Sequence, residues 1–206
     1  MSTTLRNLSR LGAWCWVLAG PVLLVANLVV PLGWTGPGYD WTWHNISDLG
    51  NVHCGTWDTS RPRQVCSPWH PVMNAAFVLT GLLLLGGIVT AGRPRPWSRR
   101  RAVALVLLGL GSSGYLLAGL RPADVDENLH VLAAFLLFVV ANAGLLVSDR
   151  LGAALGALAV VAVVLFLAQR GPLIGIGGME RLAVSPLLLW AFLEGLSRLR
   201  VPPLLR

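Results

Sequence analysis

Six apolar stretches of about 20 residues, each closed off by arginine, proline or polar clusters, limit what this chain can fold into. A bilayer core about 30 Å thick is crossed by about 20 residues of α-helix. The stretches run from about 11 to 32, 71 to 91, 102 to 120, 129 to 147, 151 to 168 and 181 to 199. The last is the most interrupted, by Glu180, Arg181, Pro186 and Glu194. Composition excludes a soluble alternative: 55% of residues are hydrophobic and only 12% charged, where a soluble domain carries about 25%. A transmembrane β-barrel would alternate apolar and polar residues, which Leu82 to Leu85 and Val160 to Leu167 do not. The expected fold is therefore all-α: one six-helix transmembrane domain spanning residues 1–206, with a long loop between the first two helices.

Arginine placement sets the expected orientation. With six spans, eleven of the sixteen basic residues fall on the side of the two termini, and Arg61, Arg63, Arg121, Arg170 and Arg181 fall on the other. The positive-inside rule makes the first side cytoplasmic. Asp149 and Glu194 are the acidic residues expected there; the other seven lie outside. The net charge of +7 is then a set of anchors for anionic head groups, not a nucleic-acid signal. The first stretch reads as a retained signal anchor, because it is too long for a signal-peptide core and lacks a small-residue cleavage site before Pro31. Every basic residue is arginine, a bias that suggests a GC-rich genome and a bacterial plasma membrane.

The loop from about 33 to 70 carries Trp34, Trp41, Trp43, Trp57 and Trp69. Tryptophan favours the membrane–water boundary, so the loop is expected to lie over the mouth of the bundle. Cys54 and Cys66 face the oxidising side, where a disulfide would stabilise by roughly 3 kcal/mol. A redox or metal role is the other reading of that pair, and Cys15 reads as a small packing residue. Gly152 and Gly156 form a G-x-x-x-G that permits close helix approach, and Asn27 and Asn142 read as interhelical glue.

The chemistry-bearing side chains gather in four groups at the predicted outer ends of the helices. The first is His44 to Gly50, with Asn45, Ser47 and Asp48 after Asp40. The second pairs His70 with Asn74 on one helical face. The third runs from Arg121 through Asp124 to His130, with Asp126 and Glu127 placed to orient the imidazole. The fourth is Glu180-Arg181. Under the six-span topology all four share one side of the membrane.

These segments resemble the DUF998 family. The resemblance rests on Asn45-Ile46-Ser47-Asp48-Leu49-Gly50, a histidine at the start of the second helix, Arg121-Pro-Ala-Asp124 followed by His130, and Glu180-Arg181. It implies a six-helix fold with an outward-facing polar site at Ser47, Asp48, Asp124, His130, Glu180 and Arg181. It brings no reaction with it.

Three readings of that site stand side by side. In one it is an enzyme acting on a lipid or lipid-linked substrate at the outer leaflet. His70 and His130 with Asp124 or Asp48 would offer zinc ligands there, or Ser47 would be a nucleophile with His130 as its base. In the second it binds without catalysis: Arg121 and Arg181 hold a head group, with Asn45, His70, Asn74 and Glu180 around it. In the third, Asp48, Glu180, Arg181 and His130 form an ion-pair network that closes the bundle. A transporter is the least supported class, since no helix carries a charge near its middle.

Overall fold

The computed structural model describes residues 3–58, 60–90 and 98–200, with side chains from residue 7 onward. Arg93, Arg95 and Arg206, counted above as cytoplasmic, lie outside the described residues, as does the side chain of Arg6.

Six helices are long and apolar enough to cross a membrane. The first is Thr3–Val29, continued by a 3-10 turn over Val30–Gly33. The second is His70–Thr90 and the third Arg99–Leu120, whose first turn is capped by Ser98. The fourth span, Glu127–Leu146, is α-helical over Glu127–Phe135 and Asn142–Leu146 with a π-helical turn over Leu136–Ala141 between them. The fifth is Arg150–Leu167, capped by Asp149, and the sixth is Gly175–Arg200. Each helix packs against the next in sequence, and the sixth returns to the first, so the six close into a ring.

Small residues allow that ring to be tight. A Cβ on Gly111 would strike Ala141, one on Gly114 would strike the Ala133 carbonyl, and one on Gly156 would press on the Asn142–Leu146 turn. The core between the helices is Trp16, Leu23, Phe77, Leu84, Leu108, Tyr115 and Trp190 with their aliphatic neighbours. Its polar atoms are tied across helices: Trp16 Nε1 donates to Leu84 O at 3.2 Å and Tyr115 Oη to Val184 O at 2.8 Å. Asn142 Nδ2 donates to Ala183 O at 3.2 Å, the interhelical role expected of it.

The sixth helix departs from expectation. It begins six residues earlier than the apolar stretch, so Glu180 and Arg181 lie in its second turn and not at its start. The reason is tertiary. Gly175, at φ +73°, and Gly177 press against loop residues 41–44, where a Cβ on either would strike backbone, and Gly177 N donates to Thr42 O. The charged pair therefore bonds to a folded loop: Glu180 to Ile46 N and Arg181 to His44 O.

That loop, residues 34–69, covers one end of the ring, called here the loop end; the other is the arginine end. Two short antiparallel strands, Gly55–Trp57 and Arg63–Val65, pair Gly55 with Val65 and Trp57 with Arg63. The Cys54–Cys66 disulfide closes the segment just outside the paired strands.

Candidate functional site

All four polar groups expected from the sequence lie at the loop end, but the structure divides them into two halves with opposite hydrogen-bonding character.

In the first half the buried donors and acceptors are used, with the exception of Arg61 Nε, which has no partner among the described residues. Residues Ser47–Gly50 form a 3-10 turn whose Asp48 carboxylate accepts from Asn45 N at 2.8 Å. Period-two alternation in the second strand turns Arg63 and Val65 inward and Gln64 outward. Arg63 then forks onto Asp48, with Nε to Oδ2 at 2.7 Å and Nη2 to Oδ1 at 2.6 Å; their side chains are 2% and 1% exposed. Arg63 Nη1 also donates to Asp58 at 2.9 Å. Partial burial pushes the Asp58 carboxyl up, but bonds from Ser60 and Arg63 outweigh it and hold the group at about 2. Arg61 lies 4.8 Å over the Trp43 ring and donates to Trp43 O and, at 2.5 Å, to Asn45 Oδ1.

The sixth helix completes this half. Glu180, buried, accepts from Ile46 N at 2.5 Å and from Ser47 Oγ at 3.0 Å. Arg181 donates to His44 O at 2.9 Å, Gly177 O at 2.8 Å and the Tyr39 hydroxyl, and lies over the Trp41 and Tyr39 rings at 5.1 and 5.7 Å. Burial raises the Tyr39 hydroxyl pKa, so it stays neutral. His44 accepts from Asp40 N through Nδ1 at 3.0 Å, so its Nε2 carries the proton offered to Gln64 O at 3.1 Å.

In the second half, buried polar atoms carry no partner among the described residues. These are Asn51 Oδ1 and Nδ2, His70 Nδ1, Asn74 Oδ1 and Asp124 Oδ1. They sit on adjoining segments. Asn74 Nδ2 donates to Gly50 O at 2.9 Å, and a Cβ on Gly50 would displace the Asn74 side chain that lies against it. Asp124 Oδ2 accepts from His53 N at 2.7 Å and from His53 Nδ1 at 3.0 Å. His130, within electrostatic reach of Asp48 and Asp124, donates Nδ1 to Arg121 O at 2.9 Å. Most buried polar atoms in proteins are paired, and each exception calls for a reason such as water, an ion or a catalytic role.

Several expected arrangements are absent. Asp126 caps the fourth helix by accepting from Leu129 N at 3.1 Å, so the Arg121 carbonyl, not Asp126 or Glu127, orients His130. The Ser47 hydroxyl is bonded to Glu180, and no bond to His130 is formed. Among the described residues no three His, Cys, Asp or Glu side chains form a group that could hold a metal ion. His70, His130 and Asp124 are thus not assembled as zinc ligands. Arg121 is exposed and does not join Arg181.

A groove of about 440 Å³ opens between the first and sixth helices. Arg181, Asn27 and Ser185 stand at its loop end, and Leu24, Leu188 and Phe192 continue it along the helices. Arg181 Nε reaches Asn27 Oδ1 at 3.4 Å, and Ser185 Oγ donates to Arg181 O at 2.6 Å.

Arg61, Arg63, Asn51 and Tyr39 were not among the residues singled out from the sequence. For the arginines a signal existed in Arg61-x-Arg63-x-Val65, a period-two pattern inside the cysteine-closed segment. Asn51 and Tyr39 carry no comparable mark.

A closed ring of six apolar helices, capped at one end by a disulfide-tied loop with polar side chains gathered beneath it, defines a multi-pass membrane protein. Residues 17–197, most of the chain, match the family described as "Protein of unknown function (DUF998)", and the chain belongs to that family. No curated protein and no solved structure matches it.

Proposed function

We propose that this protein holds a lipid or lipid-linked molecule at the outer leaflet, its head group beside Arg181 and its chain in the groove between the first and sixth helices. The observation that carries the reading is the groove itself. Its volume of about 440 Å³ falls within the usual range for small-molecule sites, roughly 300–1,000 Å³, and it changes from polar to apolar along its length. Arg181, Asn27 and Ser185 offer both donors and acceptors to a head group, and the aliphatic wall suits an acyl or prenyl chain. The expected orientation supports an outer-leaflet location: the arginine count places the loop end away from the cytoplasm, where the Cys54–Cys66 disulfide persists. The cell is expected to be bacterial and the membrane its plasma membrane.

Binding without catalysis is favoured over chemistry by a Ser47–His130 pair, because the Ser47 hydroxyl donates to Glu180 and His130 to the Arg121 carbonyl. One observation keeps an enzymatic reading in view: the unpartnered atoms of His70, Asn74 and Asp124 are polar groups a reacting molecule would satisfy.

The test is lipid mass spectrometry on detergent-purified protein, wild type beside Ser185→Trp. Ser185 lies exposed on the groove wall, so the indole fills the groove while the bundle stays intact. The expected result is about one equivalent of a defined lipid in wild type and its loss in the variant. An equal, unselective lipid mixture in both would refute the proposal. Turnover of the retained lipid, lost in His70→Ala, would favour the enzyme.

A further inference from the structure

A second cavity lies at the opposite, arginine end of the ring and is independent of the loop-end site. It encloses about 350 Å³ between the first turn of the third helix, the turn joining the fourth and fifth helices, and the last turns of the sixth. Arg100, Arg101 and Arg198 line it, against Asp149 and Glu194.

The two acidic groups do not neutralise the three arginines. Asp149 is committed to structure: Oδ1 accepts from Gly152 N at 2.7 Å as the helix cap, and Oδ2 accepts from Trp190 Nε1 at 3.2 Å. Glu194 uses a single oxygen, Oε1, for Arg101 Nη2 at 3.2 Å and for Arg198 Nε and Nη2 at 3.0 and 2.8 Å. Arg100 donates only Nε, to Val147 O at 3.0 Å, so its two terminal amino groups have no partner among the described residues. The Arg101 Nη1 group is likewise without one. The cavity therefore has a net positive wall with guanidinium donors to spare.

Its floor is apolar, made by Ala104, Leu105, Leu108 and the Trp190 ring. A cationic rim over an apolar floor, at the depth where helix ends meet head groups, matches the basic interhelical pockets that receive anionic lipid heads. Guanidinium groups recognise phosphate oxygens through paired hydrogen bonds. We propose that this cavity binds a phosphate-bearing anion, held by Arg100 and Arg101, with Leu105 and Trp190 beneath it.

The experiment uses the full chain, delipidated in detergent, and follows adducts by native mass spectrometry. The probes are phosphatidylglycerol, zwitterionic phosphatidylcholine and inorganic phosphate. Phosphatidylglycerol is expected to bind at one equivalent and in preference to phosphatidylcholine. Arg100→Gln should weaken it about tenfold, the equivalent of one charge-assisted hydrogen bond. Leu105→Trp fills the cavity with every arginine retained, and should abolish binding. Glu194→Gln removes a competing anion and should tighten it. Inorganic phosphate bound with the same Arg100 and Leu105 dependence would assign a soluble phosphate compound as the ligand. The proposal is overturned by equal binding of the two lipids with no phosphate adduct, or by phosphatidylglycerol binding that neither Arg100→Gln nor Leu105→Trp changes.

Discussion

The two halves of the loop end are built from similar residues and differ in how those residues are used. Around Asp48, Arg63, Glu180 and Arg181 each charge meets a counter-charge or a backbone group within hydrogen-bond range. Around Asn51, His70, Asn74 and Asp124, buried atoms of the same kinds meet none among the described residues. The first half behaves as a fastening: it ties the loop to the sixth helix and fixes the hairpin beneath the disulfide. The second half retains hydrogen-bonding capacity in a buried place, which costs stability unless a ligand or water meets it. A site can therefore look uniform in sequence and still be part clamp and part unpaired polar surface.

Breaking the fastening should give the largest effect. Asp48→Ala removes the fork on buried Arg63 and leaves it Asp58 as its remaining carboxylate, a change that costs about 3 kcal/mol, the lower end for breaking a buried pair. Unfolding in detergent should show that loss, and a double replacement, Asp48→Leu with Arg63→Met, should recover much of it. A midpoint unchanged by Asp48→Ala would remove the distinction between the halves. Next comes the disulfide. Cys54→Ser with Cys66→Ser should cost roughly 3 kcal/mol and loosen the loop, read as faster amide exchange over residues 54–66. A smaller effect is expected from acid. Asp58 has a folded pKa of about 2, below its ordinary 3.8, so its contribution is present above pH 3.8 and lost as pH falls toward 2. That contribution is on the order of 1–2 kcal/mol, and Asp58→Asn should flatten the pH dependence of unfolding across the same window.

Much of the fold was legible because hydropathy and arginine placement act over 20-residue windows, where no single side chain decides. All six helices fall where the apolar stretches lie, with ends shifted by the caps Ser98 and Asp149 or by docking. The early start of the sixth helix was hidden because Glu180 and Arg181 look like interruptions until the carbonyls and amides of residues 41–47 are seen to satisfy them. The gathering of Asn45, Ser47, Asp48, Glu180 and Arg181 was legible as well. Their separation from His70, Asn74, Asp124 and His130 was not. That division depends on Arg63 reaching Asp48 across a disulfide-closed hairpin, and no local pattern around Asp48 records it.

The most direct test of the division is the unfolding midpoint of Asn51→Leu, measured beside wild type in the same detergent. Leucine keeps the branching and the number of heavy atoms and removes two buried polar atoms that have no partner among the described residues. The account predicts stability equal to wild type or higher by about 1–3 kcal/mol. A loss of similar size would mean that Asn51 is already bonded in the folded protein, and the second half would be a fastening like the first.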